Sequence, residues 1–436
     1  MTVKALLKQY LHLMTLDNYS YTFHLTPLSP MKNILRHTLL CILAIALFAS
    51  CDSDKDEQDP QPIVDESMKE FEYVRVLTAD GTSTTITQVK PADGTTVSLQ
   101  AKYPNANLYP TATGRYAAML FGTQNLVEFF DSGLEYHGDH VDVKGTPKFA
   151  AIFGERIKPS HFKSKGDESI VFNDGDGTLS VAREADFHTP GAKMRVINAG
   201  LDPHHGAMVK FNNGTYGVTF VDKSSTLAGP HGVKIIDATG GEVVASTFPT
   251  SRIHGNATDG TNAVFGAEGG ALVVTQAGQQ RLIPNPEGFG AVRIGTILYA
   301  EKAKKFVGYT NLKGAYFVDL TGNRITPILE STTIMQCKID KEGRNLLILL
   351  LDGTLKVYDL ATGNLNKEGS VIPATAAAET LKPVMEATQR FAYIAMPSLG
   401  EVHQVLLTDF TKITKIKVSS QPTKLIITGF ETSESH

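Results

Sequence analysis

The sequence predicts an all-β chain folded as a single β-propeller, most simply one of seven four-stranded blades. Three observations carry this expectation. Beyond residue 66, apolar and β-branched residues come in runs of about four to eight separated by Gly, Asn and Asp, the pattern of short strands and tight turns. No long segment keeps a helical period. A unit of roughly 40 to 50 residues returns along the chain, which points to a repeat architecture before any other.

The chain opens on a segment that reads as a leader. From Met31, the expected true start, a basic stretch (Lys32, Arg36) precedes an apolar run from Leu39 to Ala49, then Ser50-Cys51 and the acidic Asp52-Ser53-Asp54-Lys55-Asp56-Glu57. The run is too short for a mature membrane span and has the three-part build of a secretory signal. Leu47-Phe48-Ala49-Ser50-Cys51 resembles a bacterial lipobox. Cleavage before Cys51 with lipidation of that cysteine is therefore expected, and residues 1–51 are set aside as leader. Residues 52–66 read as an acidic tether, 67–431 as the propeller and 432–436 as a tail. The expected location is the periplasmic side of the envelope, lipid-anchored, with the cell surface as the alternative.

Within the propeller region, three hairpin ends share one grammar: Ile236-Asp237-Ala238-Thr239-Gly240, Val318-Asp319-Leu320-Thr321-Gly322 and Tyr358-Asp359-Leu360-Ala361-Thr362-Gly363. Middle strands match in the same phase at Ala117 to Phe121, Ser169 to Phe172, Tyr216 to Phe220, Ala263 to Phe265, Phe306 to Tyr309, Leu346 to Leu351 and Phe391 to Met396. That makes seven units, with Glu70 to Lys102 and Lys412 to Phe430 left to close the ring; six or eight blades stay open, because the first and last units are the least regular. A sandwich has no reason to repeat its hairpins in this way.

Composition narrows the function classes. With 436 residues, 42% hydrophobic, 20% charged and a formal net charge of -4, the chain has neither the composition of a disordered protein nor the basic surplus of a nucleic-acid binder. A monomer is expected. Of its three cysteines, Cys41 leaves with the leader and Cys51 carries lipid, so Cys337, in an alternating strand pattern, reads as a buried core residue.

The chemistry legible here is in the histidines. Ser160-His161-Phe162, Pro203-His204-His205-Gly206 and Ile253-His254-Gly255 recur about one repeat apart, each putting histidine where a blade's first strand begins. In a propeller that strand lines the central channel, so His161, His204 or His205, and His254 should converge at one channel mouth. Three neutral imidazoles, completed by Asp202 or water, would make a tetrahedral zinc site. His231, in Gly229-Pro230-His231-Gly232, opens on the same face as a candidate outer ligand. Upstream, His137-Gly138-Asp139-His140-Val141-Asp142 offers His137, His140 and Asp142 as a second, more exposed site.

The order of these strings, from His137 through Val143, then Asp202-Pro203-His204-His205-Gly206, then Ile253-His254-Gly255 through Asp259-Gly260 to Val264-Phe265-Gly266 and Gly269 to Val274, resembles the periplasmic zinc metallochaperones of the AztD family. The resemblance spans roughly residues 70 to 430 and is specific mainly between 134 and 275. It implies a propeller that binds Zn(II) and passes it to the solute-binding protein of a zinc ABC transporter. It also implies zinc ligation or transfer by His137, His140, Asp142, His161, His204, His205 and His254. Ser251 and Ala267 stand where the family often carries cysteines, so no disulfide is expected there.

Two other readings stay open at this point. A metal-dependent hydrolase or lactonase-like propeller would need a carboxylate base, for which Asp139, Asp202 and Glu386 are available, although no nucleophile elbow, HExxH helix or phosphate loop is present. A metal-free interaction scaffold would leave the histidines apart and bonded to backbone.

Overall fold

The computed structural model describes residues 66–227, 229–290 and 292–434. The leader, Cys51 and the acidic tether up to Asp65 lie outside them. The described chain forms eight four-stranded antiparallel sheets and one two-stranded hairpin. The architecture is a single β-propeller, as expected, but with eight blades in place of seven.

The extra blade explains the miscount. Val74–Asp80, Thr85–Lys90 and Thr95–Gln100 do more than close the ring, because they are three strands of a complete blade whose fourth, innermost strand is Pro422–Gly429. The unit is split between the two ends of the chain, so it never appears as one repeat in the sequence. Its pairing also holds the ring shut: Val74 lies opposite Gly429 and Ala79 opposite Lys424.

In blades 2 to 8 the strands follow in sequence order from the centre outward. The innermost strands are Asn107–Pro110, Pro159–Lys165, Met208–Lys210, His254–Thr258, Thr296–Ala300, Ile334–Ile339 and Val384–Ala387. Each touches a neighbouring blade around the ring. Successive strand residues point to opposite faces of their sheet. Middle strands such as Tyr116–Phe121, Glu168–Asn173 and Phe391–Met396 therefore bury both faces, one against each adjoining blade. One hydrophobic cluster fills each blade interface, from Leu77 with Met119 between blades 1 and 2 round to Val402 with Ile427 between blades 8 and 1. Cys337 is 6% exposed in the cluster between blades 6 and 7, and burial pushes its thiol up to about 12.

The shared hairpin grammar has a local cause. The Asp237 carboxylate accepts the Thr239 and Gly241 amides, Asp319 those of Thr321 and Gly322, and Asp359 that of Thr362. Each aspartate closes its turn on backbone donors that the sheet leaves unpaired. Blade 2 departs from the pattern by carrying the hairpin Leu134–Tyr136 and Val141–Val143 between its third strand, Leu126–Asp131, and its fourth, Lys148–Glu155. Leu134 and Val141 pack with Tyr73 and Phe430, and Thr432 and Glu434 of the tail hydrogen-bond back to Tyr73 and Val141.

Candidate metal centre

Three consecutive blades present a histidine at the start of the innermost strand. His161 is in the innermost strand of blade 3, His205 three residues before that of blade 4, and His254 is the first residue of that of blade 5. The pairing register slips beside two of them, between Pro159 and His161 and between His254 and Asn256. Such bulges re-aim a side chain at the rim of a sheet. The glycine that follows histidine in two of the strings has a steric reason. Gly255 has φ +71°, and a Cβ there would lie 2.3 Å from the Gly295 carbonyl oxygen; at Gly206 it would lie 2.2 Å from the Phe172 ring. Neither place admits a side chain, so the backbone can bring its histidine to the channel.

The imidazoles meet. His161 Nε2 is 3.1 Å from His205 Nε2, which is 3.3 Å from His254 Nε2. Ring centroids are 4.5, 5.3 and 5.9 Å apart. Among the described residues, this is the one group of three histidine, cysteine or carboxylate donors whose ligand atoms all fall within 4.8 Å of one another. Two nitrogens held tetrahedrally by one zinc at about 2.0–2.1 Å would be about 3.3–3.4 Å apart, close to the two separations on either side of His205.

The second nitrogens determine which atom faces the centre. His254 Nδ1 donates to the Gly295 carbonyl oxygen at 2.8 Å, which leaves the lone pair on Nε2. His205 Nδ1 lies 2.7 Å from Asp174 Oδ2, a carboxylate whose side chain is 2% exposed. Burial pushes the Asp174 carboxyl up, but hydrogen bonds from His205 and Ser160 outweigh it and hold the group below its ordinary range. As an anion it accepts the hydrogen bond from Nδ1–H and orients the ring, as the outer partners of metal-bound histidines do. Burial, reinforced by the charges of His205 and His254, lowers His161 to about 4, so its ring is neutral at pH 7. Half of the His205 side chain, 51%, remains exposed, which opens the cluster to solvent on one side.

Other sequence candidates lie elsewhere. His204 is turned away from the cluster: its Nδ1 bonds the Asp202 carbonyl at 2.7 Å, its Nε2 bonds Thr219 Oγ1 at 3.2 Å, and its ring packs edge-on to Phe172. Adjacent residues point in different directions, so one of the His204–His205 pair was bound to face the blade. The Asp202 carboxylate pairs with Lys223 at 2.6 Å and does not complete the triad. His231 accepts the Asp222 amide at Nε2 and bonds the Gly229 carbonyl through Nδ1, so its own loop engages both nitrogens. Glu386 pairs with Lys338.

The hairpin gathers the upstream group. His137 Nε2 is 3.3 Å from Asp142 Oδ2 and 3.4 Å from Glu135 Oε2, His140 Nε2 is 3.6 Å from Asp142 Oδ1, and the two rings stack at 5.6 Å. Asp139 Oδ1 is 2.6 Å from His140 Nδ1, and Lys144 bridges Asp142 and Glu135. First and third strands of a blade run the same way, so the loop after the third strand opens at the end opposite the start of the first. The hairpin therefore lies on the face opposite the triad, beside Phe430, whose ring is 5.3 Å from Tyr136.

Sequence reasoning passed over Asp174, Gly295 and Glu135. Asp174 was within reach, because turns between second and third strands open on the triad's face and Asn173-Asp174-Gly175 is such a turn. The role of the Gly295 carbonyl has no side-chain signal.

No known family model matches the chain, and no curated protein matches it by sequence. Solved structures do. Citrobacter koseri AztD aligns over 84% of this chain and 100% of its own, with a TM-score of 0.75 at 21% identity. A structure of apo AztD from the same organism aligns over 82% and 98%, with a TM-score of 0.74 at 20% identity. The dihydro-heme d1 dehydrogenase NirN, in complex with DHE, aligns over 81% of this chain and 74% of its own, at 0.57 and 11%. A propeller enzyme is thus among the matches, at a lower score than AztD. At these identities the likeness is one of fold, and the chain folds as an AztD-like β-propeller.

Proposed function

We propose that this protein is a zinc-binding propeller of the cell envelope that captures Zn(II) at His161, His205 and His254 and hands it to the solute-binding protein of a zinc ABC transporter. The observation that carries the reading is the convergence of three Nε2 atoms within 4.8 Å, two of them on rings whose Nδ1 is tied to Asp174 or Gly295. Capture suits this donor set better than turnover. The carboxylate that touches the triad, Asp174, is committed to the His205 ring and to the Gly206 amide, which leaves it unsuited to act as a general base.

The resemblance in sequence order to zinc metallochaperones and the AztD-like fold support the same reading. His137, His140 and Asp142, with Glu135, form a second and weaker zinc site on the opposite face in this proposal. Zinc would not pass directly from one group to the other, so each face would meet its own source or acceptor. The lipobox at Cys51 would tether the monomeric propeller to the membrane through the acidic segment that follows.

The test is metal binding by the chain from residue 67 onward, stripped with chelator and titrated with zinc against a chromophoric competitor. One site tighter than micromolar is expected, lost when His161, His205 and His254 are replaced together. Affinity no tighter than micromolar, or unchanged by that replacement, would sink the reading. Handover is tested by mixing zinc-loaded protein with the apo solute-binding protein, with chelator-buffered zinc as the control.

A further inference from the structure

The triad's face carries a second polar feature. Between blades 5 and 6 lies a cleft of about 690 Å³ lined by Arg252, His254, Arg293, Thr296, Asn311 and the apolar Leu312, among others. Arg293 Nη1 donates to the Arg252 carbonyl at 2.8 Å, and among the described residues neither guanidinium has a carboxylate partner. Other cations on this face do have one: Arg156 pairs with Asp176 at 2.7 Å, and Lys223 with Asp202 at 2.6 Å. Nearby, Lys313 donates to the Gly288 carbonyl at 2.9 Å and lies 5.8 Å from the centroid of the Phe289 ring.

The backbone points the same way. Arg252 sits at φ +52°, the left-handed region that non-glycine residues avoid. It is held there by the bond from Arg293, by the Ile253 amide on the Pro230 carbonyl at 2.9 Å, and by Ser251, whose hydroxyl bonds Glu268. Strain kept in this way clusters at ligand clamps. Burial and then the Arg252 charge lower the Arg293 guanidinium below its ordinary range, so the two like charges act on each other. An anion between them would relieve that repulsion, and the planar fork of arginine matches carboxylate two bonds at a time.

We propose that this cleft is an anion site for a small polycarboxylate, with Arg252 and Arg293 each clamping a carboxylate group beside the histidine triad. The volume is that of a small-molecule pocket, which favours a free organic acid over the acidic surface of a protein. The site stands whether or not the triad holds zinc.

The test uses the metal-stripped chain from residue 67, in phosphate-free, low-salt buffer, titrated calorimetrically with citrate and in parallel with inorganic phosphate. Citrate should bind with sub-millimolar affinity, more tightly than phosphate. The double variant Arg252→Gln, Arg293→Gln should weaken citrate at least tenfold in protein that still unfolds cooperatively. Arg293→Lys, which keeps charge and loses the fork, should fall between. A variant with His161 and His205 changed to Gln should bind citrate as the parent does, whatever its zinc affinity. No citrate binding, binding unchanged in the double variant, or phosphate bound as tightly as citrate would each overturn the proposal.

Discussion

Replacing Asp174 by asparagine isolates the contribution of the carboxylate behind the triad. The substitution keeps shape and one acceptor oxygen but removes the charge that accepts the His205 Nδ1–H hydrogen bond at 2.7 Å. Loss of such an outer partner typically costs about 10- to 100-fold in metal affinity. At about 1.4 kcal/mol per tenfold, that is about 1.4–2.8 kcal/mol. The lower end applies if the asparagine oxygen faces His205. The upper end applies if the amide turns its NH₂ toward the ring, because Nδ1 must then accept and the proton moves to Nε2, the atom that faces the metal. Folding should weaken less, by about 1 kcal/mol, because a charge-assisted hydrogen bond is exchanged for a neutral one. Zinc competition on stripped protein measures the first quantity and urea unfolding the second. Asp202→Asn serves as control, since that carboxylate pairs with Lys223 away from the triad. Asp174→Asn affinity within twofold of the parent, with His205→Ala abolishing binding, would refute the claim that the carboxylate orients the ligand.

Four further outcomes are expected. His204→Gln should leave zinc affinity within twofold while lowering stability by about 1–2 kcal/mol, because its two hydrogen bonds serve the blade. In metal-free protein, His161 stays neutral down to about 4 whereas the unfolded chain takes up its proton near 6.5. Protons then favour the unfolded state, so stability should fall as pH drops through that window, and a His161→Gln variant should show a flatter pH profile by circular dichroism. Truncation before Pro422 removes the innermost strand of blade 1, leaves Val74–Asp80 as an open edge, and should abolish cooperative thermal unfolding. Changing His137 and His140 together to alanine should remove a weaker zinc equivalent from equilibrium dialysis without altering the tight one.

The propeller was readable because its determinants are local. Alternation and turn chemistry lie within each hairpin, as Asp237, Asp319 and Asp359 illustrate, and they recur at a fixed phase. Blade number was not readable, because pairing Pro422–Gly429 with Val74–Asp80 joins segments more than three hundred residues apart that share no repeat signature. The site divides in the same way. Phase alone marked His161, His254 and one of the His204–His205 pair as residues of one channel mouth. Which of that pair turns inward depends on the Phe172 ring, the Thr219 hydroxyl and the Asp174 carboxylate, three neighbours supplied by strands that pack only after the blades assemble.

By itself, then, the sequence determined the repeat, the strand order within seven of the blades and the donor chemistry, since these follow from side-chain alternation and residue type. Tertiary structure alone decided the eighth blade, the choice of His205 over His204, the orienting carboxylate and the placing of the two histidine groups on opposite faces. Each of those depends on contacts between strands distant in sequence, and the geometry of ring closure sets them.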